Sequence, residues 1–494
     1  MAAESTLPAA PPRPRFWLFK FLLALGLAVL GVLVFAFWYL VKCDGAWEGT
    51  LIEAKGLADL SAIRKRLAAD VAYAQSLGPR NSENEKAYAQ LQTCAEWIVQ
   101  QWQAQGYVVR RQPFTVRGKA YANLEVELPG ATLPSQIVIV SAQYDTLPDS
   151  PGANNNASGM AALFGLSELL KGQRLDRTVR LVEFVNEEDP FFGTAQMGSR
   201  IYAKACRERG EDIRAMLSLD SIGIYTHTPG SQRLPWPFSL LYPNRGDFLA
   251  FIANLPSRHC VTVTTRGFRK GSSFPIAAGV APEWVPGVTW SDHSSFWKFG
   301  YPGVQVTDTG AFRSASHTTK EDTMDKIDFD ALARVTLGIY GATLELANRQ
   351  NDPGLENLPA QWLFLNGVIV LLAGLVAGLP FWLAILRGDS AANCQAWRVA
   401  HATLIGQGLL MLIIALALPR IALSREAIWM AVWSLIAGGY GFVFAMTVGA
   451  CTGRRGLWPR PWGLNTVLFA GHGIGALGLF VAVCLVLYGG LRAI

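Results

Sequence analysis

The sequence predicts an α/β domain, with a mixed, largely parallel sheet flanked by helices, joined to an all-α membrane part of five spans. Three observations predict it. Short apolar runs alternate with amphipathic stretches in the middle of the chain. Acidic and polar clusters stand directly after those runs. Five long stretches elsewhere carry no charge. Composition agrees: of 494 residues, 51% are apolar and 16% charged, against ~25% charged in ordinary soluble domains. A wholly soluble or disordered chain is thereby excluded. The net charge of +6 is too small an excess to point to nucleic acid. The seven cysteines contain no CxxC pair, which argues against a zinc ribbon or a disulfide-stapled scaffold.

The uncharged runs come first. Residues 21–41 end in Phe-Trp-Tyr-Leu-Val. At ~1.5 Å per residue this run matches a hydrocarbon core of ~30 Å, and its aromatic end suits the interface. A cleaved signal peptide would have a shorter apolar region followed by small residues, so an uncleaved anchor is expected. Residues 357–386, 399–419, 427–453 and 461–491 form four further candidate spans. Arg13, Arg15 and Lys20 precede the first span, Arg387 and Arg398 flank the loop after the second, and Arg454, Arg455 and Arg460 follow the fourth. By the positive-inside rule these sides are cytoplasmic. The opposite loop holds Arg420 and Arg425, with Glu426 in partial offset. The expected layout is a Pro- and Ala-rich disordered tail (1–20), an anchor (21–41), an outer domain (44–356) and a four-span region (357–494). A bacterial inner membrane with a periplasmic outer domain follows. Cys43, Cys94, Cys206 and Cys260 then face an oxidising compartment, and spacing alone does not pair them. His401 and His472 lie within spans. Intramembrane ionisable groups are functional candidates, and a neutral histidine bonded to a neighbouring helix is the plainer reading.

In the outer domain, residues 57–77 and 82–104 read as amphipathic helices. Residues 136–142 (QIVIVSA) form a buried strand, and 156–171 a helix. Residues 178–185 (TVRLVEFV) form a second strand, 194–208 a helix, and 215–219 a third strand. Such alternation builds a largely parallel sheet with helices on both faces, whose site lies beyond the strands' carboxyl ends. The clusters at those places are Gln143-Tyr144-Asp145, Asn154-Asn155-Asn156, Glu187-Glu188 and Asp220, with Ser291-Asp292-His293 and Ser316-His317-Thr318 further on. Any one of them alone is ordinary solvated surface. Their order is specific.

That order resembles the co-catalytic zinc exopeptidases related to aminopeptidase Y and glutaminyl cyclase, across residues 77–346. NEEDPFFGTAQMGS (186–199) is similar to a bacterial branch of the family. The resemblance implies an eight-stranded mixed sheet and a centre of two Zn²⁺ ions that activates water. Carried over position by position, it places Glu187 as general base and Glu188 and Asp220 as metal ligands. It also places Gln143 where relatives have a histidine ligand, and Asn155 where they have the bridging aspartate. Asp145, the partner that orients the missing histidine, is retained. The last histidine ligand falls on Thr318 by counting back from Asp322, with His317 a ligand only after a one-residue slip. Three of five ligand positions are then amides or a hydroxyl. Zn²⁺ prefers N, S and anionic O, so no ordinary dinuclear site and no cofactor are expected.

The leading expectation is a pseudoenzyme: a membrane-tethered peptidase-like domain that binds or assembles. It is similar in this to the ectodomains of nicastrin, nicalin and the transferrin receptor, and its partner would be a membrane protein or a second copy. One alternative is an active zinc aminopeptidase with an unusual metal shell. Another is a glutaminyl-cyclase-like acyltransferase using one zinc held by Glu188, Asn155 and His317. With the metal absent, Glu187, Glu188, Asp220 and Asp145 would form an acidic cluster in which either some members have raised pKa values or Arg, Lys or another cation such as Ca²⁺ occupies the site.

Overall fold

The computed structural model describes Cys43 and residues 60–236, 238–348, 358–418, 421, 423–460 and 462–491. The expected tail (1–20) and first span (21–41) lie outside the described residues. The chain divides into two compact units, Met1–Gln350 and Asn351–Ile494.

The first unit opens with two helices. In α1 (Leu60–Ser76), Ile63, Leu67, Val71 and Ala74 recur at helical spacing and bury one face. In α2 (Glu85–Ala104), the Asn84 side chain accepts the Ala87 N–H (2.9 Å) and caps the first turn. That cap satisfies one of the four donors a helix start leaves open. Leu91, Cys94, Ile98 and the fully buried Trp102 face the core. A buried aromatic of this size costs about 3–5 kcal/mol to truncate to alanine.

The sheet has eight strands: β1 (Arg110–Val116), β2 (Lys119–Leu128), β3 (Leu133–Gln143), β4 (Arg177–Phe184), β5 (Asp212–Leu219), β6 (Leu249–Ala253), β7 (Ile276–Val280) and β8 (Gly303–Thr307). Their spatial order is β1-β2-β4-β3-β5-β8-β6-β7. The central four, β4, β3, β5 and β8, run parallel. The pairs β1·β2, β2·β4 and β6·β8 are antiparallel. Every residue of β4 is buried, as for a strand covered on both faces. The connecting helices are α3 (Ser158–Leu170), α4 (Gly198–Glu208), α5 (Arg258–Gly271), α6 (His293–Trp297) and α7 (Phe329–Ala347). Helices α5 and α7 touch backbone to backbone, and a Cβ on Gly341 would lie 2.5 Å from the Gly267 carbonyl oxygen.

Several expected boundaries move, and three of the shifts have a plain physical reason. The helix expected at 194–208 starts at Gly198, because residues 188–194 close a tight turn first, in which Phe191 and Phe192 donate to the Glu188 carbonyl. The helix expected from residue 156 starts at Ser158, after an irregular turn at Ala153–Ala157. The span expected at 399–419 starts at Ala391. Ser390 caps it, and a polar first turn and a half continues into the apolar run.

The second unit is four helices, α8 (Leu358–Leu386), α9 (Ala391–Ala417), α10 (Arg425–Thr452) and α11 (Leu464–Leu491). Each is long and apolar enough to cross a membrane. Small residues let them meet closely: a Cβ on Gly478 would lie 2.3 Å from the Ser434 carbonyl oxygen, and one on Gly374 2.7 Å from the Ile405 nitrogen. Tyr440 donates to Asn366 Oδ1 (2.9 Å). The His401 Nδ1–H reaches the Gly374 carbonyl on α8 (2.9 Å) and the His472 Nε2–H the Arg455 carbonyl (3.2 Å). A carbonyl only accepts, so each of these nitrogens carries the proton, and both histidines have partners in neighbouring segments.

Candidate functional site

The parallel strands deliver their polar clusters to one end of the sheet. Asp145 follows β3, Glu187 and Glu188 follow β4, Asp220 follows β5, and Asp308 follows β8. Three of these turns pass through non-glycine residues with left-handed backbone: Asn186 (φ 62°), just before Glu187, Ser221 (φ 52°), just after Asp220, and Thr309 (φ 80°), just after Asp308. Left-handed backbone costs about 1–3 kcal/mol at a non-glycine residue and persists only where its surroundings enforce it.

A chain of amides runs through the centre of the cluster. The Asn156 Oδ1 accepts the Ser221 N–H (3.0 Å), and its Nδ2 donates to the Leu219 carbonyl (2.7 Å). The backbone therefore fixes which end of this amide is nitrogen. Nδ2 also donates to Gln143 Oε1 (2.5 Å), which turns the Gln143 nitrogen toward Asn155 Oδ1 (3.1 Å). The Asn155 nitrogen in turn donates to Glu188 Oε1 (2.6 Å). Each amide is thus oriented by the one before it, and the relay ends with an N–H pointing at a carboxylate.

The remaining groups hold the loops that carry this relay. Asp145 accepts the backbone N–H groups of Glu187 (3.2 Å) and Glu188 (3.1 Å). It was expected to stand without its histidine client, and in the structure it positions the acidic pair instead. Asp322 accepts the N–H groups of Asn154 (2.8 Å) and Asn155 (2.9 Å). Asp308 takes Asn154 Nδ2 (2.9 Å) and the Ile224 N–H (2.9 Å). The Arg80 guanidinium is fully buried among backbone carbonyls, those of Ala74 (2.8 Å), Tyr144 (3.0 Å) and Pro151 (3.0 Å) among them. It ties α1 to the loop after β3.

Asp220 is held by Gln305 Nε2 (2.9 Å) and the Ser221 hydroxyl (3.2 Å). His317 lines the same cavity as Asp220. Thr318, the position obtained by counting, has left-handed backbone (φ 59°) and turns its hydroxyl back to the His317 carbonyl (2.7 Å). The structure thus brings His317, and not the Thr318 hydroxyl, to the site.

Electrostatically the site is crowded with acid. Burial, then Glu188, raises the Glu187 carboxyl well above the usual carboxylate range. Glu188 lies deep among protein atoms but keeps a partly open face. Burial, then Asp145 and Asp220, raises it too, against the Asn155 hydrogen bond. Asp220 is raised by burial, which His317 and Gln305 oppose, and burial pushes Asp145 up to about 6. Two further buried carboxylates, Glu183 on β4 and Asp292 before α6, find no donor for either oxygen. The nearby Ser199 hydroxyl is committed to Ser295 (2.9 Å). Both carboxyls are pushed well up by burial, which disfavours their charged forms. His293 turns away, bonds the Val288 carbonyl (2.8 Å) and is lowered to about 4 by burial.

Beside Asp220 and His317 opens an apolar cavity of about 870 Å³, counting its mouth. Phe238, Phe248, Phe251, Val288, Trp290 and Phe312 contribute to its wall, and Trp290 stacks on Phe312 (5.4 Å).

The donor set does not fit two zinc ions. The position between Gln143 and Glu188 offers an amide N–H where a bridging anion is required, and Gln143 spends both its polar atoms on other amides. Carboxylates and one imidazole remain, at Glu188, Asp220 and His317.

A strand-end site on a mixed eight-stranded sheet with helices on both faces defines a zinc-exopeptidase-like domain, here followed by apolar helices. The chain belongs to peptidase family M28, whose model matches residues 123–343. Residues 359–491 match a second model, described as styrene oxide isomerase. The protein YfbL of Escherichia coli is 32% identical over 54% of this chain and 82% of its own length. A probable zinc metalloprotease of Leptosphaeria maculans is 24% identical over 46% of this chain and 57% of its own. Among solved structures, the LapA aminopeptidase of Legionella pneumophila is 14% identical with a TM-score of 0.45, covering 62% of this chain and 77% of that one.

Sequence reasoning found Glu187, Glu188, Asp220, Asp145, Gln143 and Asn155, and weighed His317. It did not single out Asn156, Arg80, Asp308, Gln305 or Glu183. The triple Asn154-Asn155-Asn156 was the available signal, since three adjacent buried amides require partners.

Proposed function

We propose that this M28 domain is a membrane-tethered binding or assembly module that has given up dinuclear zinc hydrolysis. The observation that carries the reading is the Asn155 N–H donated to Glu188, at the position where the family resemblance requires a bridging carboxylate. Amides and backbone N–H groups engage the acidic groups beside it, Glu188 and Asp145, so the pocket keeps its shape without a pair of metal ions. The apolar cavity supplies a place for a chain end or side chain to be held without being cut. The four apolar helices supply a lateral surface for a membrane partner or a second copy. An outer domain on the periplasmic face of a bacterial inner membrane accords with the arginine bias of the loops.

Metal analysis by mass spectrometry on the full chain, purified in mild detergent without chelator, tests this. Well under one zinc per chain is expected, with no turnover of aminoacyl-anilides. Two tightly held zincs with turnover would overturn it. A stoichiometry of one would instead select a one-metal, glutaminyl-cyclase-like reading.

A further inference from the structure

The apolar cavity has a rim that its interior does not explain. Trp236 and Leu240 stand 79% and 75% exposed on the loop that lines it through Pro235 and Phe238, and Trp284 stands 82% exposed beside Val285. Together with Trp290, these are four of the seven large apolar residues exposed on the described part of the first unit. Exposed apolar residues whose chain neighbours line one cavity point to an interaction surface there.

The place of this rim says what it meets. The Cys43 N–H donates to the Ala278 carbonyl on edge strand β7 (2.9 Å), and Ala278 lines the same cavity. Two residues upstream of Cys43 ends the 21-residue uncharged run 21–41, a chain distance of at most about 7 Å. If that run is an anchor, the cavity edge is pinned at the membrane surface. The rim residues have the right chemistry for that depth. Tryptophan is the side chain enriched at bilayer interfaces. Exposed Arg233 and Arg245 bracket the apolar loop, and basic groups are drawn to anionic headgroups.

We propose that Trp236, Leu240, Trp284 and Trp290 seat in the headgroup region of the bilayer, so that the cavity beside Asp220 and His317 opens at the membrane surface. The seating does not depend on whether the site holds metal. It rests on the reading of residues 21–41 as an anchor, and the test separates the two.

The full chain is reconstituted in phosphatidylcholine–phosphatidylglycerol nanodiscs, with Cys394, Cys451 and Cys484 replaced by serine. Single probes of an environment-sensitive fluorophore are placed through Trp236→Cys, Trp284→Cys, Val108→Cys and Trp38→Cys. Val108 is 84% exposed and remote in sequence from the rim, and Trp38 lies in the 21–41 run. Interfacial segments sit about 5–10 Å deep, so lipid carrying a nitroxide near the headgroup should quench the 236 and 284 probes roughly twofold and leave the 108 probe unchanged. Probes at 236 and 284 that match 108 overturn the seating. Rim probes shielded from aqueous iodide yet untouched by nitroxide lipid also overturn it, because a protein then covers the rim. The 38 probe reports the anchor alone: its quenching with silent rim probes sinks the seating and spares the anchor, and the reverse pattern does the opposite.

Discussion

Asn155→Asp is the substitution that most directly tests the proposed loss of the two-metal site. It deletes the donor to Glu188 (2.6 Å), a bond to a charged group worth about 1.5–3 kcal/mol. It also sets a second carboxylate beside the first, at a repulsion of about 4 kcal/mol for charges 4 Å apart at an effective dielectric of 20. Protonation of one partner limits that cost, so a net loss of about 3 kcal/mol is expected near neutral pH. For a unit of this size about 1.5–2 °C of melting temperature follows each kcal/mol, so the variant should melt roughly 4–6 °C below the parent in chelator. Both carboxyls have folded pKa values above their unfolded ones. The native state then binds the extra proton, and the deficit should shrink as pH falls toward 5. The assay is thermal unfolding of the detergent-solubilised chain, followed by intrinsic fluorescence, with chelator and with added zinc. A variant that melts within about 2 °C of the parent in chelator would refute the reasoning, as would a parent that gains as much from zinc as the variant does.

Three further outcomes are expected. Arg80→Leu strands the carbonyls of Ala74, Tyr144 and Pro151 and should cost about 3–5 kcal/mol, as breaking a buried charged network does, read as a lowered denaturant midpoint. Gly159→Ala would put a Cβ 2.5 Å from Asn156 Oδ1 and 2.8 Å from the Leu219 carbonyl. Such overpacking costs about 1–3 kcal/mol and would tilt the first amide of the relay, which a lowered melting temperature reports. Asp70 is pushed up to about 6 by burial, in spite of its ion pair with Arg66 (2.9 Å). Native Asp70 therefore binds its proton more tightly than the unfolded chain, and stability should fall as pH rises through the window from about 4 to about 6. Melts across that window should be flatter for Asp70→Asn.

Much of this fold was legible in the residues. The central strands announce themselves because each is a short apolar run closed by polar residues, and the first acidic clusters fall after them for the same reason. Other features were illegible for identifiable causes. Arg180 and Glu183 interrupt TVRLVEFV and suggest a strand half open to water, yet all of β4 is buried. The upward push of burial on the Glu183 carboxyl and the ion pairs of Arg180 with Glu127 and Glu211 (both 2.7 Å) accompany that burial, and neither is visible in a linear pattern. Counting back from Asp322 reached Thr318, because a count cannot register the left-handed turn that lifts the Thr318 side chain out and brings His317 in. The start of α9 was missed because the search was for absence of charge, whereas Arg398 sits inside the helix.

The relay from Asn156 through Gln143 and Asn155 to Glu188 has a bearing on ancestry. Its polarity is set once, at the backbone, and each later member inherits it. A lone change of any one amide to imidazole or carboxylate leaves the neighbour on either side facing the wrong partner. The members of the relay are therefore expected to change together, and relatives that share it should vary around it more readily than through it.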